Sequence, residues 1–103
     1  MQIFVYMLRC ADGSYYVGIT KAGLDKRIGE HVSGAYRGYT FSRRPVVLVW
    51  FAEFQSLRDA IGWERRLKGW RRAKKEALIR GDLGTLPELA RTAKRPRPST
   101  SSG

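Results

Sequence analysis

The sequence lacks the features that would place it in a membrane or in a disulfide-stabilised class. No apolar run approaches the roughly 20 residues that a membrane-spanning helix needs. A single cysteine, Cys10, cannot form an internal disulfide. The first residues also lack the basic region and small-residue cleavage site of a signal peptide. We therefore expect a cytoplasmic protein in which Cys10 is a small buried apolar residue.

Acidic residues are scarce as well. Nine Asp and Glu stand against twenty Lys and Arg, which gives a formal net charge of +11 over 103 residues. Such a surface attracts polyanions, and the mixture of aromatic and basic residues over 63–72 suits phosphate contact combined with base stacking. The expected partner is therefore a polyanion such as DNA or RNA. A solvated basic surface without such a partner is the alternative, and charge alone does not indicate catalysis.

The length allows one small domain and no second one. We expect residues 1–82 to form that domain and residues 83–91 to add a short extension with a helical turn. Residues 92–103 are polar and rich in proline and serine, which predicts a disordered basic tail. The chain contains no Walker A loop, no GxGxxG and no zinc-ligand cluster, so no small-molecule cofactor is expected.

Two segments rich in β-branched and aromatic residues flank the loop 11–13 and predict an antiparallel hairpin. A two-residue turn would put Tyr6 and Tyr16 on opposite faces, because strand side chains alternate. A three-residue loop, with Gly13 in the left-handed conformation, would put Tyr6 opposite Gly18. Both phenols would then project from one face. Two tyrosines on one face are, by themselves, also typical of ordinary sheet packing.

The spacing of Leu24, Ile28 and Val32 predicts a short surface helix between the first and last of them. Arg27 and His31 lie along one edge of its apolar stripe, from which their side chains can reach the face of the sheet that carries the tyrosines. Either residue alone would be interpreted as an exposed arginine or a packed histidine.

The segment after this helix is basic and aromatic, and it contains Tyr39, Arg43 and Arg44. It is compatible both with a loop that follows a phosphate backbone and with an ordinary surface connection of a basic protein. The apolar run over 46–54 then predicts a strand covered on both faces, which we assign as the central strand of the sheet.

Glu64 occupies an unusual position in the next predicted helix, which begins after a weak capping box at Ser56 and Asp59. The helical spacing places Glu64 inside the apolar stripe, where a buried carboxylate needs a cation beside it. An arginine would give a structural ion pair. Mg²⁺ or Mn²⁺ would give a metal site, since these ions prefer carboxylate oxygens and need few protein ligands.

A third predicted helix runs from about Arg71 to Arg80 and stops at Gly81. Its basic side chains are expected to face solvent and to contact phosphates. Trp63 is expected in the core, whereas Trp70 suits either the core or base stacking.

The whole arrangement resembles the GIY-YIG nuclease superfamily, in particular its small single-domain bacterial members of the UPF0213 type. The hairpin motifs are Phe4-Val5-Tyr6, without the leading glycine, and Tyr16-Val17-Gly18. The helix motif is Arg27-Ile28-Gly29-Glu30-His31, and the resemblance covers about residues 2–80. It implies an α+β fold with a small three-stranded antiparallel sheet flanked by helices.

The resemblance also implies a role for each residue of the predicted site. Glu64 would hold a single divalent ion, Mg²⁺ or Mn²⁺, and Arg27 would bind the phosphate. Tyr6 or Tyr16 would orient or deprotonate the attacking water, and His31 would take up the proton or hold a phenol in place. A free phenol has a pKa of about 10, so it is a poor base unless cations lower that value.

We therefore expect a metal-dependent endonuclease that cleaves single-stranded or structured DNA with low sequence specificity, in DNA repair or processing. The alternative is a nucleic-acid-binding module without catalysis. Some members of the superfamily place an asparagine after the metal-binding glutamate, and this chain has no asparagine. The residues expected to contact nucleic acid are Lys21, Tyr39, Arg43, Arg44, Lys68, Arg71, Arg72, Lys74 and Lys75.

Overall fold

A computed structural model describes residues 2–81 and 93–94 of the chain. In chain order its elements are β1 (Ile3–Arg9), β2 (Tyr15–Thr20), α1 (Leu24–Ser33), a 3-10 turn (Phe41–Arg43), β3 (Val47–Phe54), α2 (Leu57–Lys68), α3 (Arg72–Arg80) and β4 (Ala93–Lys94). No helix in this part of the chain has the length and apolar character needed to cross a bilayer.

The strands form one antiparallel sheet in the order β2-β1-β3-β4. The predicted α+β fold, with a three-stranded antiparallel sheet flanked by helices, is confirmed, and the two-residue β4 adds a short edge. The assignment of the run over 46–54 as the central strand is wrong, because β1 lies between β2 and β3. That run is apolar because each face of β3 meets a separate apolar cluster.

The two residues of β4 fall within the tail 92–103, for which the composition predicts disorder. They pair with the end of β3, at Glu53 and Phe54. The predicted extension 83–91 and the remainder of the tail lie outside the described residues, so the predictions for them stay predictions.

The register of the β1–β2 hairpin confirms the three-residue loop. Leu8 pairs with Tyr16, and Tyr6 pairs with Gly18. Gly13 has a φ of 85°, in the left-handed region that such a loop requires. Both tyrosines therefore lie on the same face of the sheet.

The sheet separates two apolar clusters on its opposite faces, because side chains alternate along each strand. α2 and α3 cover one face, where the buried residues are Ile3, Val5, Met7, Val17, Trp50, Ala52, Phe54, Ala60, Trp63, Leu67 and Leu78. α1 and the loop that follows it cover the other face, where the cluster contains Tyr6, Leu8, Cys10 and Val46 with Tyr16, Leu24, Ile28, Leu48 and Phe51 packed against it.

Two of the three tryptophans, Trp63 and Trp70, are in contact on the face of the sheet that α2 and α3 cover. Trp63 is buried in the core, as predicted, and Trp70 packs edge-on against it with 6.4 Å between the ring centroids. The Nζ atom of Lys74 lies 4.3 Å from the centroid of the Trp70 ring. Trp70 thus packs against the core on one side and against the ammonium group of Lys74 on another.

Candidate active site

A buried chain of three polar side chains lies on the face of the sheet covered by α1. The Tyr6 hydroxyl is 2.8 Å from Nε2 of His31, and Nδ1 of His31 is 2.7 Å from Oγ1 of Thr40. All three side chains are almost fully buried. β1, α1 and the following loop each supply one of the three side chains. These hydrogen bonds therefore form only when the three segments are assembled.

Aromatic rings of β2 and the loop enclose this chain. The Tyr16 ring lies 5.3 Å from the His31 ring, and the Tyr16 hydroxyl is 3.4 Å from the Tyr36 hydroxyl. The Tyr36 ring centroid is 4.6 Å from that of His31, while the half-exposed Tyr39 stacks on Tyr16 at 5.8 Å. We call Tyr6, Tyr16, His31, Tyr36 and Thr40 the tyrosine–histidine cluster.

Arg27 borders the tyrosine–histidine cluster. Its guanidinium carbon lies 4.9 Å from the centroid of the Tyr36 ring, and its Nη1 atom is 3.1 Å from a carboxylate oxygen of Glu30. Its Nε atom is buried and has no hydrogen-bond partner among the described residues. A buried donor without a partner is uncommon in folded proteins and favours an anion acceptor at this place.

Burial decides the protonation states in the tyrosine–histidine cluster. It raises the pKa of Tyr6 to about 12, and the positive charge of Arg27 only partly opposes this shift. Burial and the hydrogen bond with Tyr36 raise the pKa of Tyr16. Burial also lowers the pKa of His31, and the charge of Arg27 lowers it further. At pH 7 both phenols are therefore protonated and His31 is neutral.

Gly18 allows the rings of Tyr6 and Tyr16 to lie close to its own backbone in β2. A Cβ atom at this position would lie 2.5 Å from Cζ and from the hydroxyl oxygen of Tyr6, and 2.9 Å from Cε2 of Tyr16. Cβ atoms in proteins essentially never lie so close to another heavy atom. The closing glycine of the hairpin motif is therefore required because the Tyr6 phenol occupies the space of a side chain.

A groove with a volume of about 460 Å³ opens between the end of β2 and α1. Cations line it on both sides: Lys21 in the turn after β2, and Lys26 and Arg27 on α1. Glu30 also lines the groove and is the acid bound to two of these cations. The groove thus joins the edge of the sheet to Arg27.

Glu64 makes its ion pair with a residue outside the tyrosine–histidine cluster. It is on α2, its side chain is 17% exposed, and it forms an ion pair of 3.0 Å with Lys68 one turn later. Within the described part of the chain, no hydrogen bond, ion pair or ring contact joins it to the tyrosine–histidine cluster. The structure thus brings Tyr6, Tyr16, Arg27 and His31 together and leaves Glu64 paired with a lysine.

The other basic residues selected from the sequence divide into two groups. Several hold local structure: Arg43 pairs with Asp12 at 3.2 Å, and Arg44 donates to the carbonyl oxygen of Phe41 at 2.8 Å. Arg72 binds Glu76 at 3.0 Å, donates to a backbone carbonyl of the hairpin loop and lies over a tyrosine ring of β2. Lys68, although exposed, belongs to this group through its ion pair with Glu64, and the second group consists of Lys21, Arg71 and Lys74, which are all exposed.

Lys75 departs from the expectation that the basic side chains of α3 face solvent. It is half-buried, and burial lowers the pKa of its ammonium group. Its position on α3 turns it toward the rest of the protein, so it is a poorer candidate for phosphate contact than its neighbours.

Three residues of the site escape prediction from the sequence. Tyr36 and Thr40 lie in a loop whose path the pattern does not determine, and Glu30 looks like an ordinary surface residue of α1. The available signal for Glu30 was its spacing, three residues after Arg27 and four after Lys26, since such pairs meet on a helix.

Comparisons with known proteins show what this chain is similar to. The sequence model of the GIY-YIG catalytic domain matches residues 2–77. A UPF0213 protein of Bacillus pumilus is 45% identical over 76 residues, which is 74% of this chain and 76% of that protein. A UPF0213 protein of Natronomonas pharaonis is 40% identical over 81 residues, which is 79% of this chain and 94% of that protein. Similar proteins thus occur in bacteria and in archaea.

A solved structure supports the fold. The solution NMR structure of a UPF0213 protein from Bacillus halodurans matches with a TM-score of 0.52 and 41% sequence identity. The match covers 85% of this chain and 90% of that chain.

Proposed function

This chain belongs to the GIY-YIG catalytic domain family, and from that premise we propose that it is a metal-dependent endonuclease. It hydrolyses phosphodiester bonds in DNA with low sequence specificity, on single-stranded or structured substrates, in DNA repair or processing in the cytoplasm. Family membership supports the nuclease-type function. The observation that carries the finer proposal is the convergence of Tyr6, Tyr16, Arg27 and His31 from three separate elements.

Arg27 binds the phosphate in this proposal. Its charge is permanent, its guanidinium lies at the inner end of the groove, and its buried Nε atom lacks an acceptor among the described residues. A guanidinium in this position also stabilises the negative charge that grows on the phosphoryl oxygens as water attacks.

Tyr6 and His31 carry the proton of the attacking water. The proposal uses the tautomer in which the neutral Nε2 atom of His31 accepts from the Tyr6 hydroxyl and Nδ1–H donates to Thr40. As the water oxygen bonds to phosphorus, its proton passes to the Tyr6 oxygen and the phenolic proton passes to His31. A phenolate is not needed at any stage, which suits a Tyr6 pKa of about 12.

Tyr16 orients the water from its side of the tyrosine–histidine cluster, because its hydroxyl has only the weak 3.4 Å contact with Tyr36. The bond from phosphorus to the leaving oxygen then breaks, and that oxygen takes a proton from solvent. The exposed Tyr39, stacked on Tyr16, offers a face on which a base next to the cleaved phosphate can stack.

Glu64 is the residue that would hold Mg²⁺ or Mn²⁺. No group of three or more His, Cys, Asp or Glu side chains in the described residues is arranged around a common centre. One carboxylate fits these ions nevertheless, since Mg²⁺ keeps several waters and completes its shell with substrate phosphate oxygens. The ion supplies charge for the leaving oxygen when it is bound. Lys68 must release Glu64 for this role.

A cleavage panel tests the proposal. Labelled single-stranded, flapped, branched and duplex DNA, with RNA beside them, is incubated with Mg²⁺, Mn²⁺ or EDTA. We expect cleavage only with metal, and no cleavage by Arg27→Ala or Glu64→Gln.

Glu64→Gln is the more informative of these variants. It should keep or slightly improve DNA affinity, because it removes a negative charge near phosphates, while cleavage falls by at least about 100-fold. Asp25→Asn removes an exposed carboxylate that does not line the groove; it is the matched control and should keep cleavage. Unchanged cleavage by Glu64→Gln contradicts the metal-binding role.

The ion pair between Glu64 and Lys68 also favours a second candidate function, a nucleic-acid-binding module without catalysis. In that case no metal induces cleavage of any substrate in the panel, and the wild-type protein and Glu64→Gln bind DNA with similar affinity.

A further inference from the structure

Glu30 is the acid that lies closest to the tyrosine–histidine cluster through its ion pairs. One of its carboxylate oxygens is 3.1 Å from Nη1 of Arg27, and the other is 2.9 Å from Nζ of Lys26. It therefore neutralises, at one point, two of the three cations that line the groove. Its negative charge also acts on Tyr6 and His31.

A carboxylate in this place opposes the binding of a phosphate. Two carboxylate oxygens that accept from Arg27 and Lys26 imitate the oxygens of a phosphate in charge and in hydrogen-bonding geometry. The free protein thus keeps Arg27 oriented beside Tyr36, although the Nε atom still lacks a partner among the described residues.

We propose that Glu30 is an internal substitute for the substrate phosphate, which it must yield before Arg27 and Lys26 can bind nucleic acid. The proposal rests on the proposed function, because it concerns the same phosphate site. It makes Glu30 a positioning residue that sets substrate affinity. It also assigns Lys26 as a second phosphate-binding side chain, which the sequence pattern did not select.

Exchange of one anion for another has a measurable signature. When a phosphate displaces the carboxylate, Glu30 takes up cations from solution, which offsets part of the counterion release that drives binding. Removing the charge of Glu30 removes this offset. Affinity should therefore rise, and the dependence of affinity on salt should become steeper.

The test measures affinity of the full-length protein for a fluorescein-labelled single-stranded oligonucleotide by anisotropy, in EDTA and across a salt series. Glu30→Gln should bind about five-fold more tightly than wild type, the size expected for a partly exposed ion pair. The slope of log affinity against log salt should become steeper by about one unit. Inorganic phosphate at constant ionic strength should compete more strongly with the oligonucleotide in this variant.

Asp25→Asn is the matched control, because Asp25 is exposed on the same helix and does not line the groove. It removes the same charge and should leave the salt slope unchanged. Equal effects of Glu30→Gln and Asp25→Asn would overturn the proposal and leave Glu30 as an ordinary surface acid. Glu30→Ala is a second variant that removes the negative charge. It should also make the slope of log affinity against log salt steeper.

Parallel cleavage assays separate this inference from the proposed function. If no protein cleaves DNA but Glu30→Gln still binds more tightly with a steeper slope, the nuclease proposal fails and the anion exchange stands. If cleavage is intact and the two variants bind alike, the anion exchange fails and the nuclease proposal stands.

Discussion

His31 is the only histidine in the chain and the centre of the buried hydrogen-bond chain. Its pKa in the folded state lies below the ordinary 6.5, so the unfolded chain binds more protons as the pH falls below that value. The free energy of unfolding should therefore decrease from pH 7 toward pH 5, by at most about 1.4 kcal/mol per pH unit for this one group. Urea unfolding at a series of pH values measures this decrease in the free energy of unfolding.

His31→Gln is the control for this pH dependence. The variant loses stability at every pH, because a buried polar group is changed, but its stability should be nearly flat from pH 7 to pH 5. The carboxyl groups of Asp12 and Glu30, whose pKa values are lowered by hydrogen bonds, titrate below this window. A wild-type curve that stays flat over the same range would contradict a neutral, buried His31.

At the residue scale, the sequence predicts best where a local rule decides. The left-handed position of Gly13 determines the loop length, and the loop length puts Tyr6 and Tyr16 on one face. The sequence predicts protonation states poorly, because these depend on the burial of each group in the folded protein. A phenol would be an effective base only if cations lowered its pKa, but burial outweighs the charge of Arg27 and raises the pKa of Tyr6 instead.

At the element scale, the rings of Tyr6 and Tyr16 can pack over the middle of β2 only because Gly18 has no side chain. Gly18→Ala should lower the free energy of unfolding by about 1–3 kcal/mol, since overpacking displaces both rings. Cleavage should fall with it, because Tyr6 can no longer meet His31 at 2.8 Å. Urea unfolding and the cleavage assay measure the two effects.

Gly62→Ala serves as the matched control. Gly62 is exposed within α2, and an added Cβ would meet nothing within 4 Å. This substitution should raise the free energy of unfolding by about 0.5–1 kcal/mol, because alanine favours a helix more than glycine does. If Gly18→Ala were equally harmless, the close approach of the tyrosines would be disproved.

The elements themselves follow closely from periodicity and capping. α1 and α3 begin and end within a residue of their predicted limits, and both are followed by a glycine in the left-handed conformation. The order of the strands in the sheet cannot be predicted from these patterns. An apolar run indicates that both faces of a strand are buried, and it does not show that the strand is central. β3 is buried by two clusters while β1 occupies the centre.

At the scale of the whole molecule, the sheet separates two basic surfaces that the sequence alone could not distinguish. The tyrosine–histidine cluster and the groove lie on the face covered by α1, whereas α2 and α3 cover the opposite face. A linear charge pattern contains no information on which face a helix covers. The predicted nucleic-acid contacts of α3 are therefore separated from the phosphate site by the sheet.

The last prediction concerns the face formed by α2 and α3. Arg71, which precedes α3, and Lys74 on α3 are exposed, whereas Arg72 donates to the hairpin loop and Lys75 is half-buried. Replacing both Arg71 and Lys74 by alanine should weaken binding about equally for unrelated oligonucleotides. The salt slope should become shallower by about two units, because two phosphate contacts are lost.

Arg9 and Arg37 provide a charge-matched control, since both are exposed, neither lies on α2 or α3, and neither was selected as a nucleic-acid contact. Their double alanine variant has the same net charge as Arg71→Ala/Lys74→Ala but should keep the salt slope of the wild type. If the two double variants behave alike, nucleic acid does not bind the α2–α3 face. Binding would then be confined to the groove, where phosphate competes with Glu30 for Arg27 and Lys26. A preference for one sequence over its scrambled version that survives at high salt would instead contradict phosphate-based recognition, because phosphate contacts contain no sequence information.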